Sequence, residues 1–113
     1  DARYKTDAAP WFEDTAKAEI KDVKDNSFTV EFDQAVTDDY YVNDYTVYIK
    51  TEDGTIVRNK TLWSEYYFGD MPEKLSVSFD DLDKNQTYYA EIYAGSFWKT
   101  RSKKPLVSSK TEL

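Results

Sequence analysis

Leu82-Asp83-Lys84-Asn85-Gln86-Thr87-Tyr88-Tyr89-Ala90-Glu91-Ile92-Tyr93-Ala94 is the stretch that decides how this chain folds. It opens on Leu82, an apolar residue at the end of an alternating run. Asp83, Lys84, Asn85 and Gln86 make a polar corner rich in turn formers. The chain then alternates, with Tyr88, Ala90, Ile92 and Ala94 on one face and Thr87, Tyr89, Glu91 and Tyr93 on the other. A period of two sets one face against a core and the other toward water. A Leu, a short polar turn and a Tyr entering a strand form the pattern of a tyrosine corner, whose buried ring ties its hydroxyl to backbone upstream. Leu82 and Tyr88 are the predicted structural corner.

The same alternation recurs along the chain. Leu75-Ser76-Val77-Ser78-Phe79 runs into the corner, and Ser27 to Phe32 points Phe28, Val30 and Phe32 inward. Asp44 to Lys50 does the same with Tyr45, Val47 and Ile49. Asp53-Gly54 is a hairpin signal, and Thr55 to Leu62 reads as the return strand. Ala18 to Val23, with Ile20 inward, is the expected first strand and Val107 to Leu113 the expected last. Trp63 to Pro72 reads as an irregular loop. Seven strands at regular spacing, with turns between and no helix, predict an all-β sandwich.

Leu82, Asn85, Gln86, Thr87, Tyr88, Ala90, Ile92 and Ala94 resemble the E–F corner and F strand of a fibronectin type III domain. The resemblance covers Ala16 to Leu113 and implies a seven-stranded immunoglobulin-like β-sandwich there, with residues 1–15 as an entry linker. Tyr45 stands where the family's third strand often starts with Tyr. Phe32 stands where a Trp commonly ends the second strand, a departure that keeps an aromatic in the same core slot. Trp11-Phe12, Gln34-Ala35 and the segment from Ser96 to Leu106 resemble modules appended to bacterial extracellular hydrolases, phosphoesterases and glycosidases among them. The implied role is a non-catalytic accessory, spacer or interdomain-contact module of a larger exported protein, monomeric and extracellular or at the cell surface. The alternative is a carbohydrate-binding or adhesive module using loop aromatics.

Composition points the same way. With 113 residues the chain is one domain, large enough for a core without staples. Fifteen basic against twenty-two acidic residues leave a net charge of −7, which repels nucleic acid and anionic membranes. No apolar run is long enough for a spanning helix, so no membrane insertion is expected. There is no Cys, hence no disulfide or thiolate metal site, and no His, the commonest general base. No catalytic residue set, cofactor or metal is predicted; an enzyme would need a carboxylate pair in a cleft.

The aromatic surplus is the main candidate for function. Ten Tyr, six Phe and three Trp exceed what seven short strands need inward. Tyr40, Tyr41, Tyr66, Tyr67 and Phe68 fall in predicted loops and are the expected contact face, toward an adjoining domain or a glycan. Trp63 and Trp98 are expected to cap the sandwich ends, and Trp11 and Phe12 to pack onto one of them. Asp33, Asp38, Asp39 and Asp44 surround a loop without calcium-loop spacing and read as solvated carboxylates. Lys99, Arg101, Lys103 and Lys104 read as a solvated basic turn.

Overall fold

The computed structural model describes residues 9–38, 41–67, 71–97 and 100–113, with the side chains of Tyr66 and Tyr67 outside that description. Eight strands follow one another: β1 (Ala18–Lys21), β2 (Phe28–Asp33), β3 (Asp44–Thr51), β4 (Ile56–Trp63), β5 (Lys74–Phe79), β6 (Thr87–Gly95), β7 (Leu106–Val107) and β8 (Thr111–Glu112). One sheet runs β1-β2-β5; the other runs β4-β3-β6-β7, with β8 also on β6. All pairings are antiparallel.

The two sheets face each other through the alternating apolar sets. Phe28, Val30 and Phe32 of β2 meet Tyr45, Val47 and Ile49 of β3 and Tyr88, Ala90, Ile92 and Ala94 of β6, all buried. Leu75, Val77, Phe79 and Leu82 complete that core. Ile20 only half-enters it, because β1 is a four-residue edge strand covered on one side. Removing these side chains from water is the main stabilising term, at roughly 1.5–3 kcal/mol for each large one.

Two buried tyrosines fasten the core to backbone. Tyr45 packs on Phe32, ring centres 5.3 Å apart, and its hydroxyl accepts from the Ala35 N–H at 2.8 Å. Tyr88, 2% exposed, packs edge-on against Phe28 at 6.0 Å. Its hydroxyl donates to the Asp83 carbonyl at 3.1 Å and accepts from the Asp83 N–H at 2.9 Å. Asn85 turns the corner at φ 59°, a left-handed conformation Asn tolerates, and its N–H donates to the Leu113 carbonyl.

The expected last strand, Val107 to Leu113, is broken into β7 and β8. Serine side chains stitch the segment to β6. The Ala94 N–H donates to Ser102 Oγ at 3.0 Å while the Ser102 N–H returns to the Ala94 carbonyl at 2.8 Å. Six residues on, Ser108 does the same to Ala90, at 2.8 and 2.9 Å. Each buried Ser replaces a strand carbonyl with its own hydroxyl, so β6 keeps its hydrogen bonds where the partner backbone departs.

Other corrections are local. β1 ends at Lys21 rather than Val23, because Asp22 takes φ 51°. Within the expected loop from Trp63, Ser64–Tyr67 forms one turn of 3-10 helix. Phe12 packs on Tyr45 at 6.3 Å as expected for the entry segment, but Trp11 is 45% exposed. Its backbone, not its ring, makes the contact, through two hydrogen bonds with Val36. On the open flank between β4 and β5, Arg58 donates to the Asp81 carbonyl and Lys60 to the Ser78 carbonyl.

Candidate functional site

One rung at the end of the larger sheet carries the most distinctive surface. The register places Trp63 beside Asp44, Asp44 beside Gly95 and Gly95 beside Arg101, four strands or segments in one row. Asp44 precedes the inward Tyr45, so this row points outward. A cleft of about 950 Å³ opens over it. Trp63, Phe97 and Tyr41 supply its rings and Asn43, Asp44, Thr46, Ser64, Glu65 and Arg101 its polar groups.

The polar floor is built tightly. Asn43 Nδ2 donates to Asp44 Oδ2 at 2.9 Å, setting an amide and a carboxylate side by side. The carboxylate lies on the bare backbone of Gly95, where a Cβ would come within 2.7 Å of Asp44 Oδ1. Arg101 forms the far wall. Its Nη1 donates to the Tyr48 hydroxyl at 3.0 Å, and its guanidinium sits 5.6 and 5.1 Å from the Tyr48 and Tyr93 ring centres. Those two rings meet edge to face at 5.9 Å. Cation and rings thus attract through the ring quadrupole, holding the guanidinium in place. One step along the sheet, Lys50 and Glu91 pair at 2.8 Å, and that hydrogen bond pushes the Lys50 amine above its ordinary value. The rings of Trp63 and Phe97 remain open to water, 39% and 47% exposed. The cleft can therefore offer aromatic side chains and a fixed donor–acceptor pair to a ligand, while Arg101 is engaged by Tyr48 and Tyr93.

None of the known protein-family models matches this chain, and no curated protein does. Solved structures do resemble it. A myokine structure superposes with a TM-score of 0.57 and 20% identity over 96% of this chain and 100% of that one. The kinase region of twitchin from C. elegans matches with a TM-score of 0.67 and 13% identity, over 93% of this chain and 17% of that one. A multidomain piece of titin matches at 0.58 and 13%, over 96% of this chain and 32% of that one. Together with a sandwich of three strands on five and a Leu–Tyr corner, these neighbours decide the architecture. The fold is an immunoglobulin-like β-sandwich. At such identities the likeness shows the fold alone.

On this immunoglobulin-like sandwich the expected contact residues divide. Tyr41 lines the cleft, half-buried. Tyr40 and Phe68 lie outside the described residues, as does Trp98. Tyr66 and Tyr67 end the 3-10 turn just past the cleft wall, their side chains not described. Trp63, expected as an end cap, instead stands partly exposed in the cleft, because the last residue of an edge strand has no further strand to cover it.

The described residues of the acidic loop do not gather, and Asp39 lies outside the described residues. Asp33 is held below its ordinary range by the Lys17 N–H and by the Lys74 ammonium at 3.1 Å, while Asp44 belongs to the cleft. Among the described residues no group of three acidic side chains is placed to hold a metal ion. Asn43, Asp44, Gly95 and Arg101 were not singled out as a cleft by sequence reasoning. Their signal was register in part: Asp44 and Gly95 are outward positions on strands whose inward sets were already assigned, while Asn43 and Arg101 lie just outside the strands.

Proposed function

We propose that this chain is a non-catalytic accessory module of a larger exported bacterial hydrolase, and that it serves its parent by contact through the cleft over Asp44 and Gly95. The observation that carries the reading is the pair of exposed rings, Trp63 and Phe97, beside a built polar floor. Partly exposed aromatic side chains next to positioned polar groups are the usual anchors of a contact surface. The hydrolase parent rests on the resemblance of Trp11-Phe12, Gln34-Ala35 and the Ser96-to-Leu106 segment to such appended modules.

Catalysis fits the cleft poorly. The chain has no His or Cys. Of the two carboxylates, Asp44 is bonded to an amide and Glu65 stands exposed, neither in the apolar enclosure a catalytic acid needs. The test is twofold. The isolated chain is assayed against phosphoesters and glycosides, where no turnover is expected. It is then expressed with the rest of its reading frame, where Trp63→Ala is expected to lower the activity of the parent on its polymer substrate or loosen domain packing. Turnover by the isolated chain that Asp44→Asn or Glu65→Gln abolishes would overturn the reading.

A further inference from the structure

We infer that the occupant of the cleft is a neutral glycan, one pyranose ring resting on Trp63 and Phe97 with its hydroxyls turned to Asn43 and Asp44. This rests on the reading of the chain as a contact module and names what it contacts.

A pyranose has an apolar face of C–H groups and a rim of hydroxyls. The C–H face is drawn to the negative face of an aromatic ring, and Trp63 and Phe97 are the two rings of the cleft with large exposed area. The rim needs donors and acceptors at short spacing. The Asn43–Asp44 pair supplies them: after their mutual bond, the amide keeps a second N–H and the carboxylate keeps open lone pairs. Neighbouring hydroxyls of one sugar could bond both. Gly95 leaves room above the carboxylate that any side chain would fill.

Charge narrows the class. Asp44 and Glu65 line the cleft of a chain with net charge −7, which opposes uronic acids and sulfated sugars. Arg101 is held against Tyr48 and Tyr93. A polypeptide strand fits less well. The floor strands β3 and β6 are each paired on both sides, so an extended peptide would find no main-chain edge to pair with there.

The experiment is affinity electrophoresis and calorimetric titration of the 113-residue chain with neutral β-glucan, xylan and galactomannan, and with polygalacturonate as the acidic arm. Binding to at least one neutral polymer and none to the acidic one is expected. Trp63→Ala and Phe97→Ala should each weaken it about tenfold or more, as loss of a central anchor does. Gly95→Ala should do likewise by pushing the Asp44 carboxylate out of place, with the unfolding midpoint nearly unchanged, because a side-chain end and not backbone has to give way. Ile56→Ala, at the opposite end of β4, should bind as the parent does. Binding to no neutral polymer, or binding that survives both ring deletions, overturns the glycan. If glycan binding fails while Trp63→Ala releases an adjoining domain, the glycan falls and the accessory module stands. If Trp63→Ala alters neither, both fall.

Discussion

Replacing Tyr88 by Phe isolates what the corner hydroxyl does. The ring stays, so its packing on Phe28 at 6.0 Å is kept and no cavity forms. Two hydrogen bonds go: one accepted from the Asp83 N–H at 2.9 Å and one donated to the Asp83 carbonyl at 3.1 Å. A typical intramolecular hydrogen bond contributes about 0.5–1.5 kcal/mol net, and here both partners left behind are only partly wet, so a loss of about 2 kcal/mol is expected. Unfolding entropy of roughly 2.1 cal/mol/K per residue over 113 residues gives roughly 240 cal/mol/K. The midpoint should therefore fall by about 8 °C. Thermal and urea unfolding followed by circular dichroism measure this, with the urea slope unchanged because the same surface is exposed on unfolding. A shift corresponding to less than about 0.5 kcal/mol would refute the reasoning, because the corner would then be held by ring packing alone.

Three further outcomes are expected. Ser102→Ala and Ser108→Ala each strand a buried β6 amide and should cost about 1–3 kcal/mol in urea unfolding, adding nearly independently because Ala94 and Ala90 are separated along β6 and share no partner. Asp33 ionises below its ordinary 3.8 when folded, so its contribution is full above that value and lost as pH falls through the lowered one. Asp33→Asn should flatten the acid limb of a stability–pH curve and leave the neutral region less stable. Burial pushes the Tyr45 phenol well above its ordinary 10.0, so its contribution is full below that value and lost as pH rises past it. Spectrophotometric titration should show Tyr45 ionising only as the chain unfolds, and Tyr45→Phe should remove that late step.

The core was legible because it depends on period alone. Phe28, Val30, Phe32, Tyr45, Val47, Ile49 and Tyr88 could be assigned inward from alternation, and alternation is a local property. The broken last strand was not legible, because Ser102 and Ser108 carry hydrogen bonds that no hydrophobic pattern records. Trp11 was expected to bury its ring, but a residue whose backbone pairs with Val36 at the sandwich margin can leave its side chain outside. The cleft was half-legible. Tyr41 and Trp63 stood out among the surplus rings, yet bringing them and Phe97 over Asp44 and Gly95 takes the β2–β3 connection, the end of β4 and the turn after β6 together. That meeting is tertiary, and only the register of three strands fixes it.

The crossing of Arg58 and Lys60 over the flank between β4 and β5 bears on how the module behaves among copies of itself. β4 and β5 are each the outermost strand of their sheet on that side, with unpaired backbone groups that could recruit a foreign strand. Long cationic side chains already lean across that opening and bond the Ser78 carbonyl of β5 and the Asp81 carbonyl just past its end. A second copy approaching edge-on would have to strip those bonds and bring like charges into register. Strung beside other sandwiches at high local concentration, the module is thereby kept from zipping into a shared sheet and stays a separate bead.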